Sequence, residues 1–176
     1  MGQNLFNKFN ELAKNINVST FSKAKKYLNK QGFEYKKISG TDADELKELK
    51  GIGIYIFVFT SIPKNFSELW NQHKLVANKM DASVSPINPN RKSKIMYIGK
   101  TTKQSLSVRV KKHFLDIHNN KRTGSMKLGA DIIINSGLKY ECHVFEIEKG
   151  TAMSEPIVTF LEQILHEQLQ PRIGRA

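Results

Sequence analysis

The sequence predicts an α+β fold: a small three-stranded central sheet flanked by helices, with an N-terminal helical extension and an insert between the first two core strands. Three observations predict it. Ile54-Tyr55-Ile56-Phe57-Val58-Phe59 and Ile95-Met96-Tyr97-Ile98 are short, almost wholly apolar runs, as strands buried on both faces require. Tyr140 to Ile147 alternates well enough to make a third strand. Segments before, between and after these runs repeat apolar residues at helical spacing.

The elements follow in order. Leu5, Phe6, Phe9, Leu12 and Ala13 share one helical face. A second helix starts after Ser19 and stops before Gly32, with Lys23, Lys25, Lys26 and Lys30 along it. Phe33 to Ile38 is compatible with a short strand, and Asp42 to Leu49 with a short helix capped by Thr41. These pieces form the extension, residues 1–50, ahead of the main domain at 51–176. The insert, 60–94, holds a helical stretch from Phe66 to Met80 and then a loop-like, basic run with Pro86, Pro89, Arg91, Lys92 and Lys94. Beyond Gly99, Leu106, Val110, Phe114 and Ile117 line one side of a helix, and Arg109 and His113 neighbour each other one turn apart. Asn119 to Lys127 reads as a polar, basic loop. Ser154 is expected to cap the last helix, whose core face is Ile157, Val158, Leu161, Ile164, Leu165 and Leu169, and Pro171 ends it.

Composition narrows the function classes. Lysine and arginine number 28 against 16 acids in 176 residues, a formal net charge of +12. That surplus suits a polyanionic partner, most simply nucleic acid. A single cysteine, Cys142, excludes an internal disulfide and fits a reducing, cytoplasmic setting. No apolar run has transmembrane length, and the N-terminal residues lack a signal-peptide apolar block, so no membrane role is expected.

The order of reactive residues is more specific. Gly53-Ile54-Tyr55 opens the first strand and Tyr97-Ile98-Gly99 closes the second; Lys100, Arg109 and His113 follow, and Glu162 lies at the margin of the last helix. Cutting a phosphodiester needs an activated water, positive charge on the phosphate and help for the leaving oxygen. A phenol activated by neighbouring cations can act as the base, an arginine fork can grip two phosphate oxygens, and one carboxylate suits a single Mg²⁺ that keeps its waters. Read singly, each has a structural alternative: core aromatics, a helix flank, a solvated glutamate.

In that order the motifs resemble the GIY-YIG endonuclease family over about Gly51 to Gly174, closest in pattern to its type II restriction enzyme branch. The resemblance implies a GIY-YIG nuclease fold and a metal-dependent hydrolase acting on double-stranded DNA, with Mg²⁺ as cofactor and Mn²⁺ as a substitute. It implies Tyr55 as general base or water-orienting group, His113 as acceptor or modulator of its proton, Tyr97 as positioning the phosphate or water, Lys100 as supplementing the positive field, Arg109 on the transition state and Glu162 on the metal. Whether Tyr55 or His113 is the base stays open at this level. Lys23, Lys26, Arg91, Lys92, Lys121, Arg122 and Arg172 are the expected nucleic-acid contacts, mainly to phosphates. A homodimer is expected if the target is palindromic. The alternatives are an antibacterial DNase toxin and a non-catalytic DNA-binding protein on a degenerate nuclease scaffold. Two departures from the family pattern stand out. Tyr55 and Tyr97 are separated by the long insert, which is expected to touch DNA. Gly174 stands where many members carry an asparagine, so a nearby Asn or Gln is expected to substitute.

Overall fold

A computed structural model describes residues 15–39, 43–88, 90–115, 117, 125–148, 150 and 154–174. The elements are α1 (Phe21–Lys30), β1 (Glu34–Ile38), α2 (Ala43–Lys47), β2 (Ile52–Ser61), α3 (Phe66–Lys79), β3 (Ile95–Thr101), α4 (Leu106–Phe114), α5 (Asp131–Ile134), β4 (Lys139–Ile147) and α6 (Ser154–Leu169). The expected helix over Leu5 to Ala13 and the Thr41 cap lie outside the described residues, as does most of the basic loop at 119–127.

The α+β class holds, but the sheet has four strands in the order β1-β4-β2-β3, all antiparallel. The fourth is β1, from the segment assigned to the N-terminal extension, which pairs Glu34 to Ile38 with Glu146 to Cys142. Its own residues are mostly charged, and pairing to β4 satisfies their backbone where burial does not. The central strand β2 is hydrogen-bonded on both sides, so its near-continuous apolar run follows from burial on both faces.

Two apolar layers cover the sheet. Ile54 and Ile56 join Ile98, Phe145, α1 and α6 on one face. Tyr55, Phe57 and Phe59 join Tyr97, Val144 and residues of α3, α4 and α5 on the other. Local chemistry sets the helix starts. Thr20 accepts a hydrogen bond from the Lys23 amide at 3.3 Å, and Ser105 accepts one from the Val108 amide at 3.4 Å. Helix α4 ends at Phe114, short of the Ile117 expected on its apolar side, because Leu115 turns to extended backbone. Ser154 is the first residue of α6, and its hydroxyl donates to the Glu148 carbonyl at 3.3 Å. No helix among the described residues is long and apolar enough to cross a membrane.

The insert is part of the core. Phe66, Leu69, Trp70, His73 and Ala77 of α3 are buried, and Trp70 donates its indole N–H to the Ser85 carbonyl at 2.9 Å. The chain after α3 then meets the chain after α6: the Asn88 amide donates to the Arg172 carbonyl and the Gly174 amide to the Pro86 carbonyl. Residues 172 and 173 in turn donate to the carbonyls of Ile95 and Met96, covering the outer edge of β3. Trp70→Ala is expected to cost about 3–5 kcal/mol in urea unfolding, the range for deleting a buried aromatic. A cost below about 1 kcal/mol would mean that α3 is a surface excursion. The one cysteine, Cys142, is free and 1% exposed, and burial pushes its thiol well up from the ordinary value.

Candidate active site

Tyr55 lies in mid-β2 opposite Gly99 of β3. A Cβ at Gly99 would clash with the Tyr55 hydroxyl and the ring carbons beside it, so the close approach of strand to phenol requires glycine there. The Tyr55 and Tyr97 rings are stacked with centroids 6.1 Å apart, and the His113 ring lies 5.2 Å from Tyr55 and 4.9 Å from Tyr97. Arg109 and His113 reach this pair from the same side of α4.

The hydrogen bonds fix the proton positions. The Met126 backbone N–H donates to His113 Nδ1 at 3.2 Å, so Nδ1 is bare and the neutral ring carries its proton on Nε2. Nε2 lies 3.1 Å from the Tyr55 oxygen and donates to it. Arg109 Nε donates to the same oxygen at 3.1 Å. With two donors received, the Tyr55 hydroxyl gives its own proton to Tyr97, whose oxygen also takes a hydrogen bond from Arg109. Burial, then Arg109 and Lys127, hold His113 well below the usual imidazole value, which keeps it neutral. Burial pushes Tyr55 well above the ordinary phenol value against the pull of Arg109. Tyr97 is raised for the same main reason, and the Arg109 charge with the hydrogen bonds from Tyr55 and Arg109 opposes the rise.

Glu162 approaches from α6, across the edge of β3. Its Oε2 accepts from Lys100 Nζ at 2.8 Å, and its Oε1 lies 3.5 Å from His166 Nε2. Burial resists ionisation of this carboxyl, but His166 and Lys100 outweigh it and place it below the usual carboxylate range. Tyr97, Arg109, Glu162, His166 and Gly174 line a cavity of about 380 Å³, walled on one side by Ser83 to Pro86 of the insert. A second cavity of about 430 Å³ shares Glu162 and His166 and adds Arg91 and Lys100. The two make one cleft over the β3 edge, where side chains from both faces of the sheet can meet. Tyr55 and His113 are fully buried behind it.

The expected nucleic-acid contacts distribute unevenly. Arg91 lines the cleft and donates to the Pro171 carbonyl at 3.3 Å, with Lys92 exposed beside it. Lys23 and Lys26 are exposed on α1, which packs by β1 at the opposite edge of the sheet. The Arg172 guanidinium sits 4.9 Å from the Phe66 ring centroid and 5.8 Å from that of Phe59, which gives it a packing partner in the core. Lys121 and Arg122 lie outside the described residues. Sequence reasoning left out His166 and the loop from Ser83 to Pro86. The spacing of His166, four residues after Glu162 on one helix, was the available signal for the first; the loop reaches the cleft through contacts distant in sequence.

Comparison with known protein families matches residues 53–140, half of the chain, to the GIY-YIG catalytic domain. The chain belongs to the GIY-YIG family. No curated protein and no solved structure gives a significant match. The matched GIY-YIG segment runs from the start of β2 to the start of β4 and carries both tyrosines with Lys100, Arg109 and His113; Glu162 lies beyond it. Membership identifies a nuclease, a hydrolase of the phosphodiester bond, and GIY-YIG nucleases generally use divalent metal ions. The donor set fits such an ion. Among the described residues no three His, Cys, Asp or Glu side chains cluster to cage a metal. The ammonium against Glu162 Oε2 marks where a cation is favoured. One carboxylate completed by water and phosphate suits a hard ion of the Mg²⁺ type.

Proposed function

We propose that this protein is a Mg²⁺-dependent endonuclease of double-stranded DNA that cuts at defined sequences in the manner of a restriction enzyme, with Mn²⁺ able to replace Mg²⁺. The observation that carries this reading is the convergence of Tyr97, Arg109 and Glu162 on one cleft, with Lys100 and Arg91 at its continuation.

In this reading Tyr97, not Tyr55, faces the reacting water. Tyr97 lines the cleft, whereas Tyr55 is fully buried and does not. Tyr97 takes the water's proton in its phenolate form, which hydrogen bonds from Tyr55 and Arg109 stabilise, and becomes the neutral phenol. Tyr55 passes the influence of Arg109 and His113 forward. His113 acts through orientation, since its Nε2–H already points at Tyr55 and its other nitrogen is held by Met126. Arg109 reaches from the phenols toward the phosphate and offsets the charge that builds there. Glu162 would hold Mg²⁺, which when bound would supply Lewis-acid charge for the reaction. Arg91 and Lys100 suit a neighbouring phosphate. A palindromic target would call for a homodimer.

Digestion of a long duplex in Mg²⁺, followed by sequencing of the fragment ends, tests the proposal. Discrete ends sharing a sequence are expected. A smear without a shared sequence would favour a DNase toxin, and binding without cutting in any divalent ion would favour a degenerate scaffold.

A further inference from the structure

Position 174 lines the cleft but contributes no side chain, and its backbone shows why it does not. Gly174 has φ +114, a conformation that side-chain-bearing residues rarely adopt. A Cβ built there would lie 3.5 Å from Tyr97 Cε2 and 3.8 Å from His166 Cε1. The space into which residue 174 would project is therefore bounded by the imidazole of His166. Among the described residues no Asn or Gln side chain lines this cavity, while Gln163 lines the adjoining one; the polar side chain that a Cβ at 174 would meet is His166.

His166 is held by two contacts. Nε2 lies 3.0 Å from the Ile98 carbonyl oxygen of β3. A carbonyl only accepts, so Nε2 carries the proton. The same N–H lies 3.5 Å from Glu162 Oε1. Glu162 is thereby held from two sides: Lys100 of β3 on Oε2, and His166, itself tied to β3, on Oε1. Among the described residues Nδ1 has no hydrogen-bond partner, and the ring borders both parts of the cleft. A glutamate has three rotatable bonds, and a lone lysine partner leaves it free to pivot. The tie through His166 to a strand backbone removes that freedom.

We infer that His166 is a positioning residue of this nuclease: through Nε2–H it fixes the Glu162 carboxylate against strand β3, on the side of the cleft where residue 174 offers no side chain. The inference rests on the reading of Glu162 as the holder of the divalent ion. It assigns His166 no proton transfer.

Titration of Mn²⁺, followed by its electron paramagnetic resonance signal, tests the inference in the full chain without DNA. His166→Ala is expected to weaken Mn²⁺ binding about 10- to 100-fold, the range for losing a group that orients a metal ligand. The Mn²⁺ concentration for half-maximal cleavage should rise by the same factor, while the rate at saturating Mn²⁺ changes less than about threefold. His166→Gln keeps an N–H near the Nε2 position and should bind Mn²⁺ within about threefold of wild type; His166→Asn, too short to reach the Ile98 carbonyl, should resemble alanine. Circular dichroism spectra of the three variants matching wild type exclude a folding defect, and His166→Gln gives the decisive comparison if alanine destabilises the helix. Wild-type affinity in His166→Ala overturns the inference, and so does equal weakening in Gln and Ala. If wild type itself neither binds Mn²⁺ nor cuts DNA, the reading of Glu162 fails first and takes this inference with it. Wild-type activity lost only through binding in the variants separates the two.

Discussion

Glu162→Ala is expected to lower single-turnover cleavage at least about a thousandfold while changing duplex affinity in the absence of metal by less than about threefold. Among the described residues Glu162 is the one carboxylate lining the cavity that holds Tyr97 and Arg109. In the proposed mechanism its loss removes the anchor for the divalent ion and so the charge that ion would bring to the transition state. Ground-state binding responds differently. Deleting the carboxylate leaves Lys100 and His166 without their acidic partner, and the local field facing a phosphate becomes more positive. Cleavage under single-turnover conditions and gel-shift affinity on the same duplex separate the two effects. A mutant that cuts at a tenth of the wild-type rate or faster would remove Glu162 from the site.

Arg109→Lys is the second large effect, expected at about 10²- to 10³-fold in cleavage rate, the range for losing one preorganised transition-state donor. The guanidinium bonds Tyr55 through Nε at 3.1 Å and also bonds Tyr97. A lysine supplies a charge but no planar fork, so it cannot serve both phenols and a phosphate together. The pH profile gives a readout that a simple packing role would not move. Tyr97 lies above its ordinary value, so at neutral pH its phenolate is scarce and grows about tenfold for each unit of pH. The wild-type rate should therefore climb with a slope near one from about pH 6 to 9. Arg109 lowers both phenols, so Arg109→Met should raise them and displace that line downward without flattening it. A flat wild-type profile would remove the phenol from proton transfer.

The parts legible in the sequence are those that local chemistry dictates. Ile54 to Phe59 could only be an interior strand, and it pairs on both sides. The start of α1 after Ser19 and the ends of α6 and α3 fell within a residue or two of their positions, because caps and breakers act over three or four residues. The one-turn spacing of Arg109 and His113 does bring both to Tyr55. What escaped depends on partners distant in the chain. The joining of β1 to β4 pairs residues more than a hundred positions apart, and the charged sequence of β1 carries no burial pattern to announce it. The composition of the insert, dominated by its basic tail, did not announce that Trp70 and Phe66 of α3 tie it into the core. The relative depth of the two tyrosines was equally hidden: both sit in apolar strands, and only the position of β3 at the sheet edge puts Tyr97 rather than Tyr55 on the cleft.

The buried thiol on β4 has a practical consequence. Cys142 faces the interior and resists ionisation, so an alkylating reagent meets it only when the central strands part. The native chain thus carries a single built-in reporter of global opening. Labels introduced at new surface cysteines can follow DNA or metal without the natural sulfur competing for dye.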